Sequence, residues 1–196
     1  DDALSRGLGD VYKRQVRYYL NGILLEVSPS QINVVATDGH RLAWSCCKLK
    51  TDFTDEKIII PRKSALELQK LLNLYPENVN ISFNSNQLKV FSDDYTFISK
   101  LIEGSYPDYE KVFPKGTEQK LKANKSLVQT ALNRAAVLSN EKYRGVKFIL
   151  DQDNLKICAN NPSKESAEEE VLVEYTGDSF EIGFNISYVQ ESLSVI

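Results

Sequence analysis

The residues best able to do chemistry gather in one stretch, Thr37-Asp38-Gly39-His40-Arg41-Leu42, which holds the only histidine of the chain. A carboxylate, an imidazole and a guanidinium this close together could move a proton or hold an anion. General-base catalysis also needs an orienting partner and a nucleophile, and no second histidine or nearby thiolate completes such a set. His40 can be read as a metal ligand or general base, as a packed, hydrogen-bonded histidine supporting the corner, or as one lining residue of a binding surface. The first reading lacks companion ligands. No catalytic residue, metal site or cofactor is therefore expected.

The elements that must position this stretch are two strands. Ile32, Val34 and Ala36 alternate up to Asp38-Gly39, a turn pair that tolerates positive φ, and a second apolar run starts at Leu42. Polar side chains at such a corner are held by the sheet and left accessible by the loop.

The bulk numbers exclude several classes. With 42% hydrophobic and 26% charged residues among 196, the chain reads as globular, with room for one or two domains and a preference for two. No apolar run approaches the roughly 18 to 20 residues of a membrane span, and a secretory pattern is missing. Cys46, Cys47 and Cys158 form no C-x-x-C pair, and adjacent strand residues point to opposite faces, so they read as packing cysteines in a reducing cytoplasm. A net charge of −3 argues against tight nucleic-acid binding through counterion release and leaves weak local contacts open.

Residues 1–15 share no period with the rest of the chain, and Gly7 and Gly9 spoil any helix, so this segment is expected to be non-native or foreign. From Val16 the chain repeats. Gln31 to Asp38, Gln87 to Asp94 and Asn154 to Asn161 share one pattern of amide, alternating apolar residues, small residue and polar turn. Each is preceded by a strand (Ile23 to Val27, Val79 to Phe83, Val146 to Leu150) and followed by another (Leu42 to Leu49, Tyr95 to Ile102, Val171 to Tyr175). A capping box then opens a helix after each meander: Ser64 with Glu67, Ser126 with Gln129, Ser187 with Gln190. Apolar residues continue at helical spacing: Ala65, Leu68, Leu71 and Leu72; Val128, Ala131, Leu132 and Ala135; Val189, Leu193 and Ile196. Glu168-Glu169-Glu170 reads as a solvated hairpin edge before a strand, and Asp93-Asp94 as turn chemistry.

Repeated meander-plus-helix units imply an α+β fold with helices on one face of antiparallel sheets. Gly22 matches Gly145 without gaps 123 positions later, the length of two units. The expected organisation is a domain at 16–104 lacking its start, an interdomain link at 105–116 where Gly and Pro punctuate, and a domain at 117–196 truncated at its C-terminus. The chain stops inside a helix and is expected to be a fragment.

Five stretches carry a family resemblance: Val16-Arg17-Tyr18-Tyr19-Leu20-Asn21-Gly22, Ala36 to Ala43, Ile60-Pro61-Arg62-Lys63, Tyr106-Pro107-Asp108-Tyr109, and Leu138 to Val146. In order and spacing the chain resembles the bacterial DNA polymerase III beta subunit, the sliding clamp, across most of the second and the first part of the third domain. The resemblance implies the DNA clamp fold and a non-catalytic processivity factor for DNA replication. By this resemblance two chains would close as a homodimer ring around duplex DNA, without reading sequence and with no membrane involved. The ring would tether the replicative polymerase, the clamp loader and repair proteins through short linear peptides. A cytoplasmic, nucleoid-associated protein is implied.

By the same resemblance, a partner-peptide pocket takes Leu20, Thr37, Gly39, His40, Arg41, Leu42, Pro107, Lys111 and Val112. Leu20, Leu42, Pro107 and Val112 would offer apolar walls, and Gly39 would let a peptide approach the backbone. Relatives often carry Arg where Lys111 stands, and Lys lacks the planar fork. Arg62, Lys63, Lys70, Lys125 and Arg134 would line the DNA channel or form solvated helix faces. Tyr18 and Tyr19 would touch DNA or be half-buried aromatics. The alternative from another class is a protein-interaction scaffold of the same repeat that never encircles DNA.

Overall fold

The computed structural model describes residues 18–195 except 51, 76–77, 115, 117–119 and 141, with only the backbone of 18 and 19. The expected foreign segment, residues 1–15, lies outside the described residues. The chain divides into two compact units, one running to Phe113 and the other from Pro114.

In the first unit a 3-10 turn, Tyr18–Asn21, leads into β1 (Gly22–Ser28), β2 (Gln31–Thr37), β3 (Leu42–Lys48) and β4 (Glu56–Pro61). These form an antiparallel sheet in the order β3-β2-β1-β4. Helix α1 (Arg62–Leu74) follows at once, then a second antiparallel sheet, β5 (Asn80–Phe83), β6 (Gln87–Phe91) and β7 (Thr96–Lys100). A short 3-10 turn, Tyr109–Val112, closes the unit.

Both faces of the first sheet are covered, because β1 buries a leucine on each side. Leu24 and Leu25 are both buried and, as neighbours in a strand, point to opposite faces. Leu25, Val27, Ile58 and Ile60 pack with Leu88 and Val90 of β6, and Ala65 and Leu68 of α1 close against them. On the other face Leu24, Val35 and Ile59 meet Ile102 and Tyr109, with Leu42 and Tyr106 at the margin. The second of these layers corrects an expectation about β2. Val35 is fully buried while Val34 is 36% exposed, so the face opposite to the Ile32-Val34-Ala36 run is the better buried one.

The second unit holds α2 (Lys125–Val137), β8 (Gly145–Asp151), β9 (Asn154–Asn160), β10 (Ser166–Leu172), β11 (Phe180–Asn185) and α3 (Ile186–Val195). Its sheet has the order β10-β9-β8-β11, the same connectivity as β3-β2-β1-β4. The matched glycines occupy matched places: Gly22 pairs with Pro61 at the head of β1, and Gly145 with Asn185 at the head of β8. Val128, Ala131, Leu132 and Ala135 of α2 are all buried on that sheet, as their spacing predicts. Gln129 Nε2 donates to the Leu193 carbonyl at 3.2 Å and Gln190 Nε2 to Asn133 Oδ1 at 2.8 Å, which ties α2 to α3.

The capping boxes are not the caps. Each helix starts before its predicted serine. Asn124 caps α2, its side chain accepting from the amides of Ser126 and Leu127, and Asn185 Oδ1 accepts from Ser187 N at 3.0 Å ahead of α3. Pro61 precedes α1 with φ −56° and no side-chain cap bond. Asparagine caps as well as serine does, and proline presets φ for the entry, so the serines fall inside the first turn. Ser64 is instead bonded to Ser99 Oγ at 2.7 Å. The acidic run also moves: Glu168, Glu169 and Glu170 lie within the edge strand β10, opposite Cys158, Ile157 and Lys156.

Candidate partner-binding site

The corner is built from a hairpin whose last pair is Thr37 opposite Leu42, leaving Asp38 to Arg41 as the loop. Its polar groups are satisfied locally. Asp38 Oδ1 accepts from the amides of His40 at 2.9 Å and Arg41 at 3.0 Å, and Asp38 Oδ2 takes Arg41 Nε at 3.0 Å. Thr37 Oγ1 donates to the Arg41 carbonyl at 2.7 Å and accepts from Gly39 N at 3.1 Å. Gly39 adopts φ +87°, the left-handed region that glycine enters without strain. Burial raises the Asp38 carboxyl, but the two amides and the guanidinium outweigh it and hold the pKa below the ordinary value.

A second stretch docks on this corner. The Thr37 amide donates to Tyr106 Oη at 3.2 Å, and that hydroxyl donates to the Val35 carbonyl at 3.4 Å. Burial pushes the Tyr106 hydroxyl pKa up, which keeps it protonated as a donor. Leu42, Tyr106 and Tyr109 belong to one apolar cluster, so the corner and the start of the 106–112 stretch pack together. Pro107 lines a cleft of about 530 Å³ with Leu24, Lys57, Ile59 and Tyr109. Lys111 pairs with Asp108 at 2.8 Å, which lowers the pKa of Asp108 and raises that of Lys111. Val112 is 65% exposed beside them. Leu20 sits partly buried on a separate element, the 3-10 turn ahead of β1. The Lys111 charge is committed to its own turn, and His40 contributes its backbone to the loop while remaining exposed.

Sequence reasoning missed what holds the second stretch. Tyr109, buried to 6% exposure, donates its hydroxyl to Glu26 Oε2 at 2.6 Å. Asn33 Nδ2 reaches the same oxygen at 3.1 Å, and Lys57 Nζ pairs with Glu26 Oε1 at 2.5 Å. Burial raises the Glu26 pKa, yet Lys57, Tyr109 and Asn33 together bring it below the ordinary value. Tyr109 is driven strongly upward, by burial first and then by Glu26. One signal was present in the sequence: a lone acid inside the apolar run Leu24-Leu25-Glu26-Val27. Trp44 on β3 packs edge-on against Phe113 at 5.8 Å, and Phe113 against Tyr109 at 6.1 Å.

The predicted channel cations are helix-borne. Arg62 and Lys63 open α1, and Lys125 opens α2. Lys70 pairs with Glu67 at 3.0 Å and Arg134 with Glu169 at 3.0 Å. Tyr18 and Tyr19 lie on the 3-10 turn before β1, and their side chains lie outside the described set. Among the described residues no group of three or more His, Cys, Asp or Glu could hold a metal, and no helix is long and apolar enough to cross a membrane.

The repeated units have the fold of a sliding clamp, as comparison with known proteins shows. The profile of the DNA polymerase III beta subunit central domain matches residues 10–108, and that of its C-terminal domain residues 110–196. The chain belongs to the DNA polymerase III beta subunit family. It is 46% identical over 187 residues to the beta sliding clamp of Pseudomonas aeruginosa, covering 94% of this chain and 50% of that protein. The beta sliding clamp of Escherichia coli K12 is 42% identical over 183 residues, covering 93% and 50%. The crystal structure of the Pseudomonas aeruginosa DNA polymerase III subunit beta superposes with a TM-score of 0.89 at 46% identity, over 92% of this chain and 50% of that one. A sliding clamp from Bartonella birtlesii, solved with griselimycin bound, gives 0.84 at 36% identity over 91% and 50%. The chain thus spans about half the length of the curated relatives it matches.

Proposed function

We propose that the protein is a non-catalytic subunit of the DNA polymerase III holoenzyme, a processivity factor whose ring encircles duplex DNA. In this reading residues 16–104 and 117–196 contribute its second and third domains, joined through 105–116, and two chains close the ring in the cytoplasm, at the nucleoid during replication. Partners, among them the replicative polymerase, the clamp loader and repair proteins, dock by a short peptide with leucine and aromatic anchors.

The observation that carries the docking role is the bond of the Thr37 amide to the Tyr106 hydroxyl, which ties the preordered corner bearing Leu42 to the stretch that carries Pro107 and Val112. A surface organised before binding loses little entropy when a peptide arrives. Thr37, Gly39, His40, Arg41 and Lys111 supply its polar rim, and Leu20 extends it.

Two features support the DNA role. A ring must slide, so a few cations on helix faces suit it better than a strongly basic groove. Arg62, Lys63 and Lys125 stand at helix N-termini with no acid in the first turn. The helix dipole disfavours cations there, and an external polyanion would favour them. Lys70, Arg134, Tyr18 and Tyr19 complete the proposed lining.

The test of docking is titration of the full-length protein with a fluorescent pentapeptide carrying the leucine and aromatic anchors. Saturable binding that Leu42→Asp or Arg41→Ala weakens is expected, and unchanged affinity in both would overturn the pocket. The test of encirclement is loading onto nicked circular DNA followed by linearisation. A ring slides off the ends, whereas a non-encircling scaffold stays bound.

A further inference from the structure

We propose that Tyr109 is a positioning residue for the docking wall: its hydroxyl, anchored on the Glu26 carboxylate, holds the turn Tyr109–Val112 where Lys111 and Val112 can meet a peptide. This rests on the docking role argued above and adds the device that keeps its outer wall in place.

The turn's own bonding is local and exposed. It is four residues long, and the Asp108 carboxylate ahead of it pairs with Lys111 on the solvent side, which orders the turn without tying it to the sheet. Glu110, Lys111 and Val112 face solvent, and only Tyr109 of the four is buried. Of the four, Tyr109 is therefore the buried link between the turn and the sheet. The ring lies among Leu24, Val35, Ile59 and Ile102, and the hydroxyl ends 2.6 Å from Glu26 Oε2.

The anchor point is itself fixed from neighbouring strands. Glu26 on β1 stands in register with Lys57 on β4 and with Asn33 on β2, and both neighbours donate to its carboxylate. A carboxylate with three donors stays ionised and accepts strongly, and hydrogen bonds to charged groups are the stronger class. From Tyr109 the influence reaches the corner through stacked edges. Phe113 bridges Tyr109 and Trp44, and Trp44 lies two residues from Leu42 on the same face of β3.

The experiment uses full-length protein labelled with 5-fluorotryptophan, the Trp44 fluorine resonance being assigned by Trp44→Phe. Tyr109→Phe keeps the ring and deletes the anchor bond. It is expected to weaken the anchor-bearing pentapeptide about fivefold to tenfold and to shift the Trp44 resonance well below the unfolding temperature. Glu26→Gln keeps an acceptor without the charge and should fall between wild type and Tyr109→Phe in both readings. A merely structural bond would change the melting temperature and leave affinity and resonance where they were. If Leu42→Asp weakens the peptide while Tyr109→Phe and Glu26→Gln bind like wild type, the positioning role is overturned and the docking surface stands. If Leu42→Asp is also without effect, the docking surface fails and takes the positioning role with it. Should Tyr109→Phe not fold, Glu26→Gln decides by the same two measurements.

Discussion

The amide of Thr37 donates to the hydroxyl of Tyr106 across 69 positions of chain, at 3.2 Å. This bond joins the end of a central hairpin to the stretch that closes the unit. It makes one surface of two segments that the sequence keeps far apart.

Replacing Tyr106 by Phe removes that acceptor and leaves a half-buried amide without its partner. The loss of one such bond costs about 1 kcal/mol. Amide hydrogen exchange at Thr37 should accelerate roughly fivefold, while exchange in β8 and β9 of the second unit stays as it was. Unchanged protection at Thr37 would mean that the bond contributes nothing to the corner.

The corner should loosen in acid. Asp38 titrates lower when folded than its ordinary 3.8, so its stabilising share is complete above that value. It is lost as pH falls through the still lower folded pKa. The melting-temperature gap between wild type and Asp38→Ala should be constant near neutrality and close below about pH 4. Glu26, also shifted downward, adds loss in the same direction. A gap that persists fully at about pH 2, below the ordinary carboxylate range, would place the role of Asp38 elsewhere.

The two matched glycines should respond differently to one methyl group. A Cβ on Gly22 would lie 2.7 Å from the Ile60 carbonyl oxygen and 2.9 Å from Ile59 Cγ2, whereas a Cβ on Gly145 meets nothing within 4 Å. Gly22→Ala should destabilise by about 1 to 3 kcal/mol, the usual cost of overpacking. Gly145→Ala should be nearly neutral. Calorimetry of the two variants side by side tests this, and equal effects would refute the difference in packing.

On DNA the cations that open α1 should matter more than those paired along the helices. If Arg62 and Lys63 each neutralise one phosphate, removing both should flatten the slope of log K against log salt by about 1.8. Lys70→Ala and Arg134→Ala should change it less, because Glu67 and Glu169 already hold those charges. The measurement is DNA binding by the full-length protein at several salt concentrations.

What could be read from the sequence was whatever local periodicity controls. Alternation placed β2, β6 and β9, helical spacing found the buried face of α2, and the match of Gly22 with Gly145 revealed a repeat whose two copies share one sheet order in the structure. The errors arose where two signals overlapped. Asn124 and Asn185 stood two residues ahead of serines that fit a capping box, and local pattern could not rank the two caps. The Glu168 to Glu170 run read as a solvated hairpin edge ahead of its strand because its partners, Lys156 and Arg134, come from other elements. At the candidate site the corner was legible because Asp, Gly and the flanking apolar runs are neighbours in sequence. The Tyr109 to Glu26 bond spans 83 positions, and no period encodes such a meeting.

The pairing of Thr37 with Leu42 leaves four residues in the loop, and that count matters more than its exposure would suggest. Surface loops ordinarily absorb insertions. Here one added or lost residue that slipped β3 against β2 would turn Leu42 to the opposite face, away from Tyr106 and Tyr109. Asp38 and Gly39 fix the shape of this loop, and its length cannot drift without dismantling the apolar wall beside it. The corner is therefore a place where homologous chains should resist gaps.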